Sequence, residues 1–268
     1  MNRLSGWFAL RGLAAALLLT AAVGCARLGS EQTGPVTTKT DAGSTTAPAA
    51  SEVAARKNAL VRFVHAVPGL APVDVFAGDG KAFDAVIYKY VTPYRELPTA
   101  SVPFRLRLAG QDAAEPLAQE TKSLGVGRHH TVVALHVGGS GLLSKGTGVE
   151  LRFLTDELEP PSAGKARVRV VNASPDLGEI DLYATGRAEP VLKGANAGAA
   201  TAYSETEPTG AGLEVRRAGE NITTLAVPNA KVEAGRLYTV FVVGATKGTA
   251  KLEAFVVEDQ LGAPPGKQ

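Results

Sequence analysis

Two stretches of this chain, beginning 107 residues apart, carry nearly the same sixteen-residue sequence. Residues 61–76 (VRFVHAVPGLAPVDVF) and residues 168–183 (VRVVNASPDLGEIDLY) are identical at seven of sixteen positions without a gap. Composition alone would give about one identity in a window of this length. The chain must therefore fold twice into a related structure, and the long period argues against a solenoid of short repeats.

Three further matches follow the first in the same order along the chain. Their offsets lie between 107 and 109, which indicates a duplicated domain with short insertions in its loops. We predict domain 1 at residues 58–158, a linker at 159–165 and domain 2 at 166–260. The matched pairs are TPYRE 92–96 with TAYSE 201–205, RLAG 107–110 with RRAG 216–219, and GRHHTV 127–132 with GRLYTV 235–240.

Within each copy the hydrophobic periodicity is that of β-strands. Val102, Phe104 and Leu106 alternate with Pro103 and Arg105, which is the period-two pattern of a strand with one buried face. Short apolar runs rich in β-branched residues are separated by Gly-containing turns, and no helical pattern is visible beyond residue 24. About seven short strands in roughly 100 residues predict an all-β protein with two tandem β-sandwich domains, Ig-like or prealbumin-like.

Residues 1–24 have the pattern of an export signal. Arg3 and Arg11 are the only charged residues in this segment, and residues 12–24 (GLAAALLLTAAVG) form an apolar run. Spanning a bilayer takes about 20 apolar residues, so this run is too short for a transmembrane helix. We predict a signal peptide in preference to a buried helix.

The apolar run ends in Ala22-Val23-Gly24-Cys25, which resembles a bacterial lipobox. That resemblance implies a diacylglycerol thioether on Cys25, cleavage before it and acylation of the new amine, palmitate included. Two or three acyl chains anchor a protein stably where one does not. Ala26, in place of Asp, implies the outer membrane. Cys25 is the only cysteine, which excludes an internal disulfide framework and a Cys-rich metal site.

Residues 25–57 are predicted to be the lipidated cysteine followed by a flexible tether. The segment after Cys25 is rich in Thr and Ala, contains no aromatic residue and shows no periodicity. As a random coil it would span roughly 30 Å. A Thr-rich glycosylated stalk is the alternative. Residues 261–268 are predicted to be a disordered tail.

The repeated motifs resemble the bacterial envelope family called domain of unknown function 4397. The resemblance lies in the Val-Arg-x-Val-(His/Asn)-Ala-x-Pro opening, in Asp74 and Asp181 within apolar strands, and in the Thr-Val strand near the end of each copy. It implies exported, often lipid-anchored proteins with sandwich domains in tandem. It implies no catalytic residues and no cofactor.

The charge balance excludes a nucleic-acid partner. The chain has 28 Lys and Arg against 26 Asp and Glu. Removing Arg3 and Arg11 with the signal leaves 28 − 2 = 26 basic residues against 26 acidic ones. Binding to phosphates requires a basic surface, which this composition does not provide.

The four histidines do not predict a metal site. His129 and His130 are adjacent in a strand and point to opposite faces, while His130 and His136 are six residues apart, roughly 20 Å along a strand. In copy two, Asn172, Leu237 and Tyr238 replace His65, His129 and His130. We therefore expect no metal ion.

Asp74 and Asp181 are structural candidates because each lies inside an apolar strand. The carboxylate could face solvent, or it could accept hydrogen bonds from the preceding Pro-containing loop (68–70 or 175–177) and close it. A third possibility is an ion site in copy two, where Asp176 and Glu179 lie close to Asp181 in sequence.

Tyr94 and Tyr203 recur at equivalent positions and are also structural candidates. A hydroxyl that pins a strand crossover is favoured over an aromatic platform for carbohydrate. The chain has no Gly-x-Ser-x-Gly nucleophile motif and no phosphate-binding loop.

These observations predict a non-enzymatic lipoprotein of the cell envelope, anchored in the outer membrane through Cys25. Its duplicated modules would serve interaction or envelope structure, with an envelope protein or a polysaccharide as partner. The alternative is a carbohydrate-active or hydrolytic accessory protein that uses an acidic site around residues 176–181 of domain 2.

Overall fold

The computed structural model describes residues 58–137 and 148–259. The predicted signal peptide, the lipidation site at Cys25, the tether and the tail from residue 261 lie outside these residues. The described residues contain strands, turns and bends but no helix, so none of them forms a membrane-spanning helix. The prediction of an all-β protein with sandwich domains is confirmed.

The described residues of domain 1 form eight strands in two four-stranded sheets. The strands are β1 Ala59–His65, β2 Val73–Ala77, β3 Gly80–Val86, β4 Arg95–Leu97, β5 Ser101–Leu108, β6 Ala118–Ser123, β7 His129–His136 and β8 Val149–Asp156. Outer sheet 1 has the order β3-β2-β5-β6, and inner sheet 1 has the order β4-β1-β7-β8.

Domain 2 repeats this arrangement with nine strands. Outer sheet 2 has the order β11-β10-β14-β15, and inner sheet 2 has the order β12-β9-β16-β17, with β13 also paired to β9. The strands are β9 Ala166–Asn172, β10 Ile180–Ala184, β11 Pro190–Ala195, β12 Ala199–Ala200, β13 Ser204–Thr206, β14 Leu213–Arg217, β15 Thr223–Val227, β16 Leu237–Val243 and β17 Glu253–Asp259.

Each inner sheet is built around a parallel strand pair. In domain 1, β1 runs parallel to β7, with Val61 opposite His130. In domain 2, β9 runs parallel to β16, with Val168 opposite Tyr238. The other strand pairs among the described residues are antiparallel. The duplicated opening motif and the duplicated Thr-Val strand are thus neighbours in both domains.

Each domain has its own hydrophobic core between its inner and outer sheets. In these cores the residues alternate along each strand, as the period-two pattern predicts. Domain 1 buries, among others, Val61, Phe63, Val75, Phe104 and Val132. Domain 2 buries, among others, Val168, Val170, Leu182, Val215 and Val240.

A third core lies between the two inner sheets and joins the domains. It contains eight buried residues, half from each domain: Val64, Ala66, Val133, Leu135, Val171, Ala173, Phe241 and Val243. Strands β1 and β16 are buried at every position because one face enters the domain core and the other enters this interface. The domains therefore form one stack of four sheets, which the sequence analysis did not predict.

Candidate functional site

The interface between the inner sheets contains a polar cluster built from the duplicated arginines. Arg62 and Arg169 occupy the second position of the repeated opening motif, and each lies opposite a threonine of the parallel strand. Arg62 Nε donates to Thr131 Oγ1 at 2.8 Å, and Arg169 Nε donates to Thr239 Oγ1 at 2.8 Å. The local geometry is the same in both domains.

Each arginine then reaches across to an aspartate of the other domain. Arg62 Nη2 lies 2.5 Å from Asp259 Oδ1, and Arg169 Nη2 lies 2.5 Å from Asp156 Oδ1. Asp156 and Asp259 are the last residues of β8 and β17, so they are equivalent positions. The two contacts are reciprocal, as in the isologous interface of a symmetric dimer.

The repeated tyrosines complete the cluster. Tyr94 Oη donates to Asp156 Oδ2 at 2.7 Å, and Tyr203 Oη donates to Asp259 Oδ2 at 2.8 Å. Thr131 and Thr239 donate to the same carboxylates at 2.6 and 2.5 Å. We call these eight side chains the interdomain network: Arg62, Tyr94, Thr131, Asp156, Arg169, Tyr203, Thr239 and Asp259.

The charged side chains of the network are almost completely buried. The side chains of Asp156 and Asp259 are fully buried, while those of Arg62 and Arg169 are 5% and 2% exposed. Buried ions are tolerated only when they are paired and hydrogen-bonded, and every charged member of the network is.

The ionisation states follow from this pairing. Burial alone would raise the pKa of Asp156, but the guanidinium groups of Arg169 and Arg62 hold it below its usual range. Burial opposes the charge of each arginine, yet the surrounding groups raise the pKa of both above the usual value. Burial, followed by the charge of Asp156, raises the pKa of Tyr94. The Asp156–Arg169 pair is thus charged at neutral pH, beside a neutral Tyr94.

Tyr94 and Tyr203 precede the short strands β4 and β13. Their hydroxyls tie these segments to the ends of β8 and β17, and their rings lie against the arginines, 5.0 Å from Arg62 Cζ and 4.5 Å from Arg169 Cζ to the ring centroids. Both rings are half-buried in these contacts. The structure thus gives both tyrosines partners inside the protein.

Asp74 and Asp181 accept backbone hydrogen bonds, but not from the Pro-containing loops that the sequence suggested. Asp74 Oδ1 accepts from the Ala85 N–H at 2.7 Å, and Asp181 Oδ1 accepts from the Gly194 N–H at 2.9 Å. Each donor lies opposite the aspartate in a β-bulge of the neighbouring strand, where the pairing register shifts. Both carboxylates therefore hold a bulge rather than a loop.

Asp74 also anchors a charged cluster in domain 1. Its Oδ2 accepts from the Gly110 N–H at 3.1 Å and from Lys81 Nζ at 2.7 Å. Lys81 lies 3.1 Å from both Asp84 and Asp112. Burial alone would raise the pKa of Asp74, but these hydrogen bonds and the ammonium group lower it. Lys81 thus supplies the positive charge that faces these three carboxylates.

The Pro-containing loops are instead closed by His65 and Asn172. His65 Nδ1 accepts from the Val67 N–H at 3.3 Å, and its Nε2 faces the Ala71 carbonyl at 3.4 Å. Asn172 accepts from the Ser174 N–H at 3.2 Å and donates to a carbonyl in the same loop at 2.8 Å. The imidazole of His65 and the amide of Asn172 therefore make equivalent hydrogen bonds to the loop that follows them in each copy.

The other histidines also have structural environments. His130 Nε2 accepts from the Gly125 N–H at 3.4 Å, and Tyr238 Oη accepts from the Glu233 N–H at 3.2 Å at the equivalent position. His129 packs edge-on against Tyr94, and His136 lies beside Gly148. Among the described residues, no group of three or more His, Cys, Asp or Glu side chains could hold a metal ion.

The acidic residues of domain 2 have separate partners. Asp176 accepts from the backbone N–H groups of Thr246 and Lys247 at 2.8 and 2.9 Å and from the Thr246 hydroxyl at 2.8 Å. Asp181 is held by Gly194, as described above. Asp176 thus fixes the turn between β16 and β17, and none of these hydrogen bonds joins Asp176 to Asp181.

The sequence analysis missed Arg62, Arg169, Asp156 and Asp259, although a signal was present. An arginine at the same place in two apolar strands needs a buried partner. An aspartate also ends the last strand of each copy, and the two are 103 residues apart. What the sequence did not reveal is that each arginine pairs with the other copy's aspartate.

The fold and the repeated network define a pair of tandem all-β sandwiches joined through a pseudo-symmetric interface. A family model described as a domain of unknown function, DUF4397, matches the chain twice, at residues 59–183 and 169–268. The chain belongs to this family, and the predicted resemblance with two tandem copies is confirmed. No curated protein matches the chain.

Proposed function

We propose that this protein is a lipoprotein of the bacterial outer membrane whose two sandwich domains form one non-catalytic module for interaction or envelope structure. The tether of residues 26–57 would connect this module to the lipid on Cys25. The partner would be an envelope protein or a polysaccharide.

The interdomain network is the observation that carries the non-catalytic part of the proposal. The arginines and aspartates of the network recur in both copies, and they are buried and ion-paired across the domain boundary. An active site needs titratable groups that reach a substrate. In this protein the titratable groups of the network instead join the two domains, which supports a non-catalytic role.

The direction of the strands supports a module with an anchored end and a far end. Strands β1 and β9 begin, and strands β8 and β17 end, at the interdomain network. Asn58, the residue before β1, therefore lies at the network end, where the tether would join the fold. The far end carries the loops that follow β1, β3 and β16, and it exposes Ile87 and Tyr90, which are 57% and 50% accessible.

A photo-crosslinking experiment in cells tests this proposal. A crosslinking amino acid at Tyr90 should trap an envelope component, whereas one at Glu96, an exposed position near the network end, should not. Metabolic labelling with an alkynyl fatty acid should tag the wild type and not Cys25→Ser, and only the wild type should sediment with membranes. Equal labelling of both forms, or no adduct at either position, would contradict the proposal.

A further inference from the structure

A cavity of about 760 Å³ opens at the far end of domain 2. It lies between the turn from β14 to β15, which belongs to outer sheet 2, and the turn from β16 to β17, which belongs to inner sheet 2. Small-molecule sites in proteins have volumes of about 300–1,000 Å³, so this cavity is large enough for a ligand of one or a few rings.

Arg217 lines this cavity from the core-facing side of outer sheet 2. It is the last residue of β14, two residues after Val215 and opposite Ile180 of β10, and both of these neighbours are buried in the core of domain 2. The matched residue in domain 1 is Leu108, which lies opposite the buried Val73. Domain 2 therefore places a guanidinium at the open end of its sandwich where domain 1 has a leucine.

The guanidinium of Arg217 has no partner among the described residues. It makes no hydrogen bond or ion pair with them, and its Nε is buried without an acceptor. The preceding residue is different, because Arg216 pairs with Glu214 at 2.9 Å on the other face of the strand. Partial burial of an unpaired charge lowers stability, and a leucine would avoid this loss. The arginine is therefore better explained by a ligand than by packing.

The opposite wall of the cavity is held in one conformation. In the turn from β16 to β17, Gly244 has φ of 86°, and a Cβ on this residue would collide with the Lys251 carbonyl oxygen. Asp176 holds the same turn through the backbone N–H groups of Thr246 and Lys247. The cavity is therefore formed in advance, which reduces the entropy that a ligand must lose on binding.

The side chains around the cavity offer three kinds of polar contact. Arg217 and Lys251 supply positive charge, Thr224 and Thr249 supply hydroxyl groups, and Glu220 supplies a carboxylate acceptor. None of these five side chains is hydrogen-bonded or ion-paired within the part of the chain that the structure describes.

This combination matches a sugar ring that carries a carboxylate. A guanidinium binds a carboxylate through two parallel hydrogen bonds, while threonine hydroxyls and a glutamate hydrogen-bond to sugar hydroxyls. Leu225 and Leu252, which also line the cavity, give apolar surface for the C–H groups of the ring. An unpaired acid such as Glu220 would repel phosphate or sulfate, so a site for simple anions fits less well.

We propose that the far end of domain 2 binds uronate residues of an acidic polysaccharide, with Arg217 holding the sugar carboxylate. The inference rests on the proposed function, in which the far end contacts an envelope component, and it narrows that partner to one chemical class. Domain 1 does not offer the same site, because Leu108 replaces the arginine. The two copies would thus differ in function at this end.

Calorimetric titration of the unlipidated chain of residues 26–268 with oligosaccharides of galacturonate and of glucuronate tests this site. The wild type should bind these acids and should bind their methyl esters roughly tenfold more weakly or worse, because the ester has no charge. Arg217→Leu gives domain 2 the residue of domain 1 and should weaken binding by roughly ten- to a hundredfold. Arg217→Lys should retain only part of the affinity, because lysine lacks the paired donors.

Arg187→Leu is the matched control and should bind like the wild type. This exposed arginine lies in the turn between β10 and β11, at the opposite end of outer sheet 2 from Arg217. Circular dichroism establishes that each variant is folded. Inorganic phosphate, titrated alone, should bind much more weakly than the uronates.

Three results would overturn the proposal: no binding of either acid, equal binding of acid and ester, or unchanged affinity in Arg217→Leu. Phosphate that binds as tightly as the uronates would also overturn it, because the site would then recognise charge alone. Crosslinking at Tyr90 in cells reports on the proposed function separately. An adduct there without uronate binding would reject this inference and leave the proposed function in place.

Discussion

At the scale of single residues, Asp156 and Arg169 each depend on a partner in the other domain. Asp156→Ala leaves the Arg169 guanidinium buried without its counter-ion, so we expect a loss of about 3–5 kcal/mol in the free energy of unfolding. Asp259→Ala should lower the free energy of unfolding by a similar amount, because it removes the counter-ion of Arg62. Chemical denaturation of the full chain measures both.

The exposed neighbour Glu157 provides the control for these variants, and Glu157→Ala should change stability by less than about 0.5 kcal/mol. Replacing both Asp156 and Arg169 by leucine should cost less than replacing Asp156 alone, because no unpaired charge remains. Equal small losses for Asp156→Ala and Glu157→Ala would show that the network contributes little.

His65 predicts a dependence of stability on pH. Burial lowers the pKa of His65, and its Nδ1 accepts a hydrogen bond that requires the neutral ring. The pKa in the unfolded chain is about 6.5, so stability is full above that pH and is lost as the pH falls toward the lower folded value. His65→Asn introduces the residue that copy two has at this position and should flatten the loss between pH 7.5 and 5.

Urea unfolding of wild type and His65→Asn at the two pH values measures this difference. His136→Gln, at a half-buried histidine of the same domain, is the control for the loss of one imidazole. His130 contributes in the same direction because burial also lowers its pKa, so His65→Asn should reduce the effect without removing it. Identical pH dependence in wild type and His65→Asn would exclude this role for His65.

At the scale of the strand, the bulge opposite Asp74 contains a residue in a costly conformation. Ala85 has φ of 45°, while its equivalent Gly194 has φ of 77°. A left-handed conformation costs a non-glycine residue about 1–2 kcal/mol, and glycine loses about 0.5–1 kcal/mol in chain entropy. Ala85→Gly should therefore raise stability by up to about 1 kcal/mol, and Gly194→Ala should lower it.

Thermal melts of these two variants, measured together, give the test. Each substitution gives one domain the residue that the other domain has at the equivalent bulge position. The decisive result is therefore that the two changes in melting temperature have opposite signs, whatever their sizes. A gain or a loss shared by both variants would mean that the bulges differ in their backbone requirements.

The strands were largely readable from the sequence, whereas the partners of buried polar groups were not. Alternation from Val102 to Leu108 predicted β5, since one face of that strand is buried. One of the short apolar runs, at residues 238–243, forms β16. It has no polar alternation because both faces of this strand are buried, one in the domain core and one in the interface. The sequence left three possibilities open for Asp74 and did not reveal the Ala85 N–H as its donor, because a bulge changes register by one residue and leaves no periodic signal.

At the scale of the whole molecule, the interface core predicts that the domains stay together after the linker is cut. Burying each Val, Leu or Phe contributes about 1.5–3 kcal/mol, so separating the inner sheets would cost on the order of 10 kcal/mol. A protease site inserted at residues 159–165 should yield two fragments that co-elute at the size of the intact chain. Denaturation should show one transition.

The Val133→Asp variant provides the contrast, because it places an unpaired charge in the interface core and should let the cut fragments separate. If the wild-type fragments separate as readily, the domains are independent modules and the interface is weak. Fragment exchange between labelled and unlabelled protein would then be rapid.

The parallel pairing of β1 with β7 determines how the molecule would resist mechanical force. A pull on residue 58 against a handle at the far end acts along β1, which is paired with β7 over six positions and buried on both faces. Its hydrogen bonds would be loaded together in shear rather than broken one at a time. Optical-tweezers experiments should find a higher rupture force for this geometry than for a pull on residue 259 against its strand partner, residue 237, which peels β17 from the sheet edge. Equal forces would mean that β1 gives no special resistance where the tether joins the fold.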